Sequence, residues 1–377
     1  MRVLTIAHNA VAASNRARSE ALRRAGADVT LLTPRWWFEE GRQLVARPSV
    51  SERWWRVGRT LFTGNGTRHV YLTGLLEAMG AARPDVIDLY EEPFSLVALQ
   101  TLLLRDRIAR HAALVFYSAV NVERHWHWPY RAIERLVLRC ADAAHAPNSD
   151  VPRILAARGF APPVKLTSVI PLGVDVQRFA SAEALPLPDI GRPRVGFIGR
   201  FESVKGLDVL LNAFQRVKRP AELVLVGDGS LGAALQDHRA HVLPPVAFEQ
   251  VPSLLKALDV LVLPSVTILP LHREQFGRVL VEAMAAGLPV IGSSSGAIPE
   301  VIGDAGLVVP ERDPAALAEA IDAVLSQPAL RQRLIERGRA RAARCFSWSV
   351  IAEQTLALFE AAIAQRRAVA SPQAVRA

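Results

Sequence analysis

Two glutamates stand eight positions apart in the segment EQFGRVLVEAMAAG, residues 274–287. Glu282 lies among small and apolar residues, where a carboxylate needs a partner because burying an unpaired charge is costly. The segment predicts a helix from near Gly277 to Ala286, with Glu274 at its N-terminal end beside free backbone N–H groups. At about 1.5 Å per residue the carboxylates lie roughly 12 Å apart, which suits two ends of an extended polar ligand bearing hydroxyls. A helix cap combined with a paired core glutamate is the alternative.

A second polar segment, GRFESVKG at residues 199–206, follows an apolar run and precedes a helical pattern. Gly199 permits close approach of the backbone, while Arg200 and Lys205 supply two cations beside the N–H groups at the start of the helix. This combination predicts an anion site, for which a diphosphate is the natural ligand. A solvated loop between a strand and a helix is the alternative.

A third segment, LVLVGDGSLG, carries Gly227, Gly229 and Gly232 in the spacing G-x-G-x-x-G. Glu249 follows about twenty residues later, as in a dinucleotide-binding fingerprint, so a nicotinamide-dependent oxidoreductase is one interpretation. Two features oppose it. The motif lies on the second strand of its domain, and paired prolines, which are rare in central strands, precede Glu249. A sharp turn between strand and helix accounts for the glycines equally well.

The composition is that of a globular chain. Of its 377 residues, 50% are hydrophobic and 21% are charged, which excludes an intrinsically disordered protein, and the length fits two domains. No uncharged run of about 18 apolar residues occurs, so no transmembrane helix is expected. The first residues, MRVLTIAHNA, predict a strand and not a signal peptide, and the two cysteines, Cys140 and Cys345, predict no disulfide framework. We therefore expect a cytoplasmic protein.

The net charge of +9 and the pI near 10.3 favour an anionic partner such as a nucleic acid, a phosphorylated ligand or an anionic lipid surface. No zinc-finger spacing and no nucleic-acid-binding motif accompanies the charge, so no nucleic-acid partner is expected. A GC-rich codon usage, which enriches Arg and Ala, is the alternative source of the charge.

Short apolar runs alternate with helical patterns such as 16–25, 95–110 and 130–143, which predicts βαβ units and parallel sheets with helices on both faces. The expected fold class is α/β, with two doubly wound Rossmann-like domains facing across a cleft, where ligands bind at the carboxyl ends of the strands. The predicted strands cover residues 2–7, 28–34, 85–90, 113–118, 164–170, 194–200, 222–229, 260–265, 289–294 and 306–310.

The pattern predicts four segments. An N-terminal domain covers residues 1–178, a linker rich in Pro, Ala and Gly covers 179–193, and a second domain covers 194–345. Residues 346–377 predict a helix that packs back on the N-terminal domain and ends in a frayed tail.

The second half resembles the donor domain of a retaining glycosyltransferase of family 4, whose two-domain architecture is called GT-B. The stretches that match the family, in order, are VIPLGVDVQRF (169–179), GRFESVKGLDVLL (199–211), LVLVGDGS (223–230), VLPS (262–265), EQFGRVLVEAMAAGLPVI (274–291) and GAIPEVI (296–302). Together they span most of residues 169–310, and the spaced glutamate pair is the most specific of them. The resemblance also implies that the N-terminal domain, residues 1–178, binds the acceptor and that the second domain binds the nucleotide-sugar donor.

The resemblance implies a role for each residue in these motifs. Glu274 would contact the hexose of a nucleotide sugar and Glu282 its ribose, while Arg200 and Lys205 would hold the diphosphate. The implied catalytic residues are Glu274, Arg200 and Lys205, and the implied donor-binding set adds Gly199, Gln275, Phe276, Gly277 and Glu282.

The implied activity is hexosyl transfer from a nucleotide-diphosphate sugar to a hydroxyl acceptor with retention of anomeric configuration, in cell-surface polysaccharide or glycolipid synthesis. Arg200, Lys205 and nearby helix N-termini would stabilise the charge that develops on the departing diphosphate. Many glycosyltransferases hold a divalent metal with an Asp-x-Asp pair, and this chain contains none. We therefore expect a metal-independent reaction with no cofactor besides the nucleotide sugar as co-substrate.

The first half departs from the family pattern. Where members carry Gly-Gly after the first strand, this chain reads HNAVAASNRARSE, and Asn121 stands roughly where many carry a histidine, with His125 and His127 further on. The candidate acceptor residues are Asn121, Glu91 and Arg16, with Glu92 beside Glu91, and solvated glutamates are the alternative. These departures leave a second interpretation open, a catalytically silent sugar-nucleotide-binding protein.

Residues 34–69 contain four of the chain's seven tryptophans, Trp36, Trp37, Trp54 and Trp55, together with many arginines. Tryptophan and arginine together favour a membrane interface with anionic headgroups. We therefore expect peripheral binding to the inner face of the membrane and a sugar or lipid-linked sugar acceptor. Tryptophans buried under a long loop are the alternative.

Overall fold

Parallel strands form the centre of two units in the computed structural model, which describes residues 1–39, 42–124, 126–160, 165–232 and 240–370. The first unit comprises residues 1–170 together with the chain from residue 348, and the second comprises residues 171–347. Most of the frayed tail expected over residues 369–377 lies outside the described residues, from residue 371 onward, as do His125 and Val164 of a predicted strand.

The first unit is built on a parallel sheet in the order β11-β10-β9-β8-β1-β2-β5. Its strands are β1 (Arg2–Ile6), β2 (Asp28–Pro34), β3 (Trp36–Glu39), β4 (Arg42–Val45), β5 (Trp55–Gly58), β6 (Thr60–Leu61), β7 (Val70–Tyr71), β8 (Val86–Leu89), β9 (Ala113–Tyr117), β10 (Ala143–Ala146) and β11 (Leu166–Val169). Strands β3 and β4 form one antiparallel hairpin, and β6 and β7 form another. The strand order reverses between β1 and β8.

The second unit is also built on a parallel sheet. Its strands are β12 (Arg194–Ile198), β13 (Glu222–Val226), β14 (Ala240–Leu243), β15 (Val260–Leu263), β16 (Val290–Ser293) and β17 (Leu307–Val309). They lie in the order β14-β13-β12-β15-β16-β17, the doubly wound order of Rossmann-like sheets, which reverses between β12 and β15. The predicted fold class, two doubly wound Rossmann-like α/β units, is confirmed.

Helices connect the strands. Their bounds are α1 (Ala13–Arg24), α2 (Leu75–Ala82), α3 (Leu96–Ile108), α4 (Trp128–Cys140), α5 (Asp150–Ala157), α6 (Val176–Ser181), α7 (Leu207–Phe214), α8 (Val251–Lys256), α9 (Arg278–Ala286), α10 (Ile298–Ile302), α11 (Pro314–Ser326), α12 (Pro328–Phe346) and α13 (Trp348–Ala370). Two of these helices begin with residue types that commonly cap helices. The Ser95 hydroxyl accepts from the Ala98 N–H at the start of α3, and the Asp313 carboxylate accepts from two N–H groups at the start of α11.

Helices cover both faces of the first sheet. Successive residues of a strand point to opposite faces, so neighbouring residues of β1 belong to different core clusters. On β1, Leu4 belongs to a core cluster with residues of α2, α3, α4 and α5, whereas Val3 belongs to a separate cluster with residues of α1 and α13. Phe359 of α13 is fully buried in that second cluster. The last long helix therefore forms part of the core of the first unit.

The segment 179–193, expected to be a linker, belongs to the second unit. Phe179, at the end of α6, and Ile190 are buried in the apolar core of that unit. The Leu185 N–H also donates to the Ser253 carbonyl. The proline and glycine content that suggested a linker therefore marks an irregular segment packed against the second sheet.

Candidate functional site

The loops that follow β12 and β15 meet where the strand order of the second unit reverses. In open parallel sheets, ligands bind outside the carboxyl ends of the strands at this point, because the two loops there leave in opposite directions and open a crevice. The loop after β12 carries Lys205, and the segment between β15 and α9 carries Ser265 and Glu274. We call these three residues the Lys205 group.

The Lys205 group is a buried, charge-assisted hydrogen-bond cluster. The Lys205 ammonium donates to Glu274 Oε2 at 2.7 Å, and the Ser265 hydroxyl donates to the same oxygen at 2.7 Å. Glu274 is only 6% exposed, while Lys205 is half-buried. A cation and a carboxylate are thus fixed next to each other at the edge of the sheet.

Glu274 stays ionised in spite of its burial. Burial acts to raise the pKa of its carboxyl, but the Lys205 charge, the two hydrogen bonds from Lys205 and Ser265, and the charge of His272 together hold that pKa below its usual value. An ionised carboxylate accepts strong hydrogen bonds from hydroxyl groups.

Glycines bring the loops of the Lys205 group together. Gly206, which ends the Lys205 loop, has φ of +67°, and a Cβ there would lie 2.0 Å from the Pro264 carbonyl oxygen. Gly296 has φ of +54°, and a Cβ there would lie 2.1 Å from the carbonyl oxygen of Glu274. The neighbouring Ala297 N–H donates to that same carbonyl at 3.0 Å. Side chains are excluded at both glycines by conformation and by space.

The other predicted residues of this segment have distinct surroundings. Gly277, with φ of +79°, precedes α9, so the helix begins at the expected place. Phe276 is buried with its ring edge-on to Phe346, whereas Gln275 is exposed. Glu282 is buried on α9.

The structure does not bring Arg200 into the Lys205 group. Its side chain is exposed, and it forms no hydrogen bond or ion pair with another residue in the described part of the chain. The N–H of the preceding Gly199 donates to the Val226 carbonyl at 3.0 Å, which fixes the backbone just before Arg200. Arg200 is therefore a cation of the same loop that is open to solvent.

Sequence reasoning missed a second polar cluster in the segment after β15. The Thr267 N–H and hydroxyl donate to the two carboxylate oxygens of Glu311, and its hydroxyl lies 3.0 Å from that of Ser295. Both Ser265 and Thr267 follow a fully buried strand. That position after a strand was the signal that could have identified them.

Loop packing accounts for the G-x-G-x-x-G spacing. A Cβ at Gly227 would lie 1.9 Å from the Gly199 carbonyl oxygen, and one at Gly229 would lie 2.6 Å from the Phe201 carbonyl oxygen. Glu249 lies in the 3-10 helix Phe248–Gln250, beyond the end of β14. The glycines therefore let two loops of one sheet edge pack together, and the dinucleotide interpretation loses its main support.

A second charged cluster lies where the strand order of the first unit reverses. His8 follows β1 and Glu91 follows β8. Glu91 Oε1 accepts the His8 backbone N–H at 2.7 Å, and Glu91 Oε2 lies 2.6 Å from His8 Nδ1. Nε2 of the buried His69 lies 3.6 Å from Glu91 Oε1. We call His8, His69 and Glu91 the His8 group. The 2.6 Å contact is a hydrogen bond between the imidazole and the carboxylate.

The pKa values of the adjacent glutamates are shifted in opposite directions. Burial acts to raise the pKa of Glu91, but the charges of His8 and His69 and the hydrogen bonds from His8 lower it to about 2. Burial raises the pKa of Glu92 to about 7, although its carboxylate accepts hydrogen bonds from Ala119 N–H and the Ser118 hydroxyl. The alternative of a solvated side chain is wrong for Glu91, which is buried, whereas Glu92 is half-buried and both of its carboxylate oxygens accept hydrogen bonds within the protein.

Arg16 does not join the His8 group through any described contact. The Arg16 guanidinium donates to the Val11 carbonyl at 2.8 Å and stacks over Trp55, so it braces the loop after β1. Asn121 is buried in the segment between β9 and α4, and His127 immediately precedes α4.

A membrane interface requires exposed side chains, and the four tryptophans of residues 34–69 are buried or half-buried. Trp37 and Trp55 are buried, so the expectation of membrane contact is wrong for these two, and Trp36 and Trp54 are half-buried. The exposed aromatic side chains are instead Phe38 and Phe62, at 51% and 61% exposure. Among the described residues, no helix is both long and apolar enough to cross a bilayer.

Comparison with known proteins identifies the family. Residues 11–178 match the family model described as Glycosyltransferase Family 4, and residues 192–327 match the one described as Glycosyl transferases group 1. The D-inositol 3-phosphate glycosyltransferase of Streptomyces avermitilis is 31% identical over 335 residues, which cover 79% of this chain and 70% of that protein. The chain belongs to glycosyltransferase family 4.

Other similarities within this family are more local. The phosphatidyl-myo-inositol mannosyltransferase of Mycobacterium leprae is 37% identical over 207 residues, covering 51% of this chain and 52% of that protein. The chain thus spans about half the length of this curated relative.

Solved structures show the same GT-B fold. Sucrose-phosphate synthase from Thermosynechococcus elongatus has a TM-score of 0.70 at 22% identity, and the match covers 96% of this chain and 99% of that one. HepE from Anabaena, in complex with UDP and glucose, has a TM-score of 0.68 at 18% identity with the same coverage.

A substitution of Gly206 tests whether glycine is needed to bring the loops of the Lys205 group together. We expect Gly206→Ala to lower the free energy of unfolding by more than about 1 kcal/mol, because Ala is strained at positive φ and its Cβ would clash with a backbone carbonyl. Gly80→Ala is the matched control, since that helical glycine has open space around its Cβ position and Ala favours helix. Urea denaturation measures both, and equal stability of the two variants would contradict the account.

Proposed function

We propose that this family 4 chain transfers a hexose from a nucleotide-diphosphate sugar to a hydroxyl acceptor, with retention of anomeric configuration. The observation that carries the proposal is the Lys205 group, in which a half-buried cation and a buried, ionised carboxylate lie in contact at the strand-order reversal of a Rossmann-like sheet. That edge is where such sheets bind nucleotides.

The chemistry of each side chain suits one part of the donor. Lys205 supplies a cation for the diphosphate, and the exposed Arg200 of the same loop supplies another. Glu274 accepts hydrogen bonds from the hexose hydroxyls, and Glu282, further along α9, accepts them from the ribose. The charge that develops on the departing diphosphate is stabilised by cations already in place, which costs no reorganisation during the reaction.

No metal has a part in this proposal. The chain contains no Asp-x-Asp pair, and Lys205 and Arg200 supply the positive charge that a divalent ion supplies elsewhere. Transfer is expected without added magnesium or manganese.

The relatives suggest which substrates to test. The names of two of them contain phosphatidyl-myo-inositol and D-inositol 3-phosphate, and HepE was solved in complex with UDP and glucose. We propose a sugar or lipid-linked acceptor of glycolipid or cell-surface polysaccharide synthesis, reached from the cytoplasm. UDP-sugars and GDP-sugars with inositol phosphate acceptors form the first panel of compounds.

Variants of the Lys205 group test the donor role. Lys205→Met should weaken UDP binding about tenfold to a hundredfold, since a hydrogen bond to a charged group contributes about 1.5–3 kcal/mol. Glu274→Gln should lower the transfer rate by about a hundredfold while UDP binding stays nearly unchanged, because its contacts are to the sugar. Calorimetry with UDP and chromatography of the sugar product measure the two effects.

Exposed residues of the same unit provide the controls, Lys218→Met and Glu249→Gln. Transfer by Glu274→Gln within a factor of two of the parent would contradict the proposal. UDP-sugar binding by the parent without transfer or hydrolysis would support the catalytically silent binding protein instead.

An aromatic surface in the first unit supports contact with a membrane. Trp36 and Phe38 lie edge-on with ring centroids 5.3 Å apart, and a Cβ at Gly64 would lie 3.0 Å from Phe38, so the loop that carries Phe62 packs beside them. We call Trp36, Phe38 and Phe62 the aromatic surface. Exposed arginines flank it along the chain at positions 35, 47, 53, 56 and 59. Aromatic rings enter the lipid interface, and each arginine near an anionic leaflet contributes about 1 kcal/mol.

The double variant Phe38→Ser/Phe62→Ser tests this contact. It should lose most of its cosedimentation with vesicles that contain phosphatidylglycerol, because the exposed rings no longer insert. High salt should release the parent, because the charge attraction is screened. Leu269→Ser/Leu271→Ser changes two similarly exposed apolar residues of the second unit and serves as the control. Equal binding of the parent to anionic and neutral vesicles would contradict the proposal.

A further inference from the structure

Three side chains that can ligate a metal ion converge in the His8 group, at the strand-order reversal of the first unit. Two imidazoles and one carboxylate each offer one ligand atom, and these atoms all lie within 4.8 Å of one another. They come from separate parts of the chain, the segments after β1 and β8 and the residue just before β7. Among the residues that the structure describes, no other set of three histidine, cysteine, aspartate or glutamate side chains meets this condition.

The contacts of His69 leave one of its ring nitrogens available to a metal. The imidazole is fully buried, and its Nδ1 lies 3.2 Å from the Asn65 carbonyl oxygen, to which it can only donate. The other nitrogen of a neutral His69, Nε2, therefore carries a lone pair. It has no hydrogen-bond partner in the described part of the chain and faces Glu91 Oε1 at 3.6 Å. A metal-ligating histidine usually donates its other ring N–H in this way, which fixes the orientation of the ring.

The distance between His69 and Glu91 fits a metal ion better than a proton. A nitrogen lone pair and a carboxylate oxygen that face each other out of water repel unless a positive ion lies between them. The 3.6 Å separation is longer than a hydrogen bond, so a proton would be poorly shared. Two ligand atoms on a tetrahedral zinc ion, each about 2.0–2.1 Å from the metal, lie about 3.3 Å apart.

His8 supplies the third ligand atom from the open side of the group. Its side chain is 25% exposed, so solvent reaches the group at this residue, and its Nδ1 lies 2.6 Å from Glu91 Oε2. A zinc ion would replace the hydrogen between these two atoms, and a small rotation of the His8 ring would increase their separation to about 3.3 Å. Glu91 would stay in place, because its other oxygen accepts the His8 backbone N–H at 2.7 Å.

Aromatic side chains enclose the three ligands. The Trp37 ring lies 4.3 Å from the His8 ring and 5.0 Å from the His69 ring. The Tyr71 ring lies 6.3 Å from that of His69, and the buried Tyr71 hydroxyl has no hydrogen-bond partner among the described residues. Two buried polar atoms, His69 Nε2 and the Tyr71 hydroxyl, are thus unsatisfied at one place, which in a folded protein calls for an unseen water or ion.

We propose that His8, His69 and Glu91 form a zinc site of the first unit. Two imidazoles and one carboxylate are a known ligand set of zinc, whereas magnesium and calcium prefer oxygen ligands alone. Iron(II) accepts the same ligands but binds them more weakly than zinc does. The ion ties together the segments after β1 and β8 and the segment before β7. It takes no part in the proposed sugar transfer, so the inference is independent of that function.

Metal binding by the full chain tests the site without any substrate. After exhaustive chelation, zinc is titrated in competition with a chromophoric chelator, and cobalt(II) then replaces zinc as a spectroscopic probe. The expected results are one zinc ion bound per chain and the visible absorption of four-coordinate cobalt. No stoichiometric zinc binding, or only the weak spectrum of hydrated cobalt, would overturn the proposal and leave a proton between His69 and Glu91.

Three variants locate the ion. His69→Gln and His8→Gln should each lower the affinity for zinc by at least about a hundredfold, because loss of a supporting contact alone already costs about tenfold to a hundredfold. His111→Gln changes an exposed histidine of the same unit and should keep the affinity within a factor of two. Unchanged affinity in either ligand variant would overturn the proposal. If His69→Gln fails to fold, His8→Gln still decides, because His8 lies at the open side of the group.

Thermal unfolding provides a second measurement. An ion that binds the folded chain raises its Tm with concentration. Zinc should therefore raise the Tm of the parent and of His111→Gln and leave that of His8→Gln unchanged, whereas magnesium at the same concentration should raise none of them. An equal rise in the parent and in His8→Gln would place the zinc elsewhere and contradict the proposal.

Discussion

Each unit keeps an ionised carboxylate out of water at the point where its strand order reverses, and each carboxylate requires a cation beside it. Glu274 is paired with Lys205 in the second unit, and Glu91 is paired with His8 and His69 in the first. The cost of burying an unpaired charge makes these pairs obligatory, since removing one partner leaves the other uncompensated. The rest of each site follows from this constraint, because the loops must bring residues distant in sequence within hydrogen-bond reach.

The backbone meets that requirement in the second unit through glycine. Gly206 and Gly296 adopt conformations that other residues avoid and lie against backbone carbonyls, so the two loops of the Lys205 group approach more closely than side chains would permit. Gly227 likewise lets the loop after β13 pack closely against the Gly199 carbonyl. This packing explains the glycine, whose spacing had suggested a role in cofactor binding. The glycine spacing is therefore explained by the packing of loops at the edge of the sheet that is proposed to bind the donor.

Much of this architecture could be predicted from the sequence, since long apolar runs and regular alternation indicate strands such as β1 and β2 and helices such as α3. Strand β10 could not, because its residues AAHA have low intrinsic strand preference and form a strand only through pairing with β9 and β11. Lys205 and Glu274 were predicted separately, as ligands of two parts of a donor. Their mutual contact depends on the geometry of the two loops, so it could not be predicted from either motif alone.

The His8 group was the least predictable feature. Glu91 was identified as a candidate, but His8 lies 83 positions away and its role emerges only when the strand order places β1 beside β8. The tryptophans show the same limit, because composition alone does not distinguish a ring that packs under a loop, as Trp37 does, from one that faces solvent.

Hydrogen–deuterium exchange of the full chain with and without UDP tests the central claim most directly. The account predicts that UDP slows exchange at residues 199–206 and 264–282, since the ligand would cover the loops of the Lys205 group and the start of α9. The Lys205→Met variant should show little of this protection. Protection confined to the first unit, or no change in either loop at a concentration where UDP binds, would contradict the assignment of the donor site.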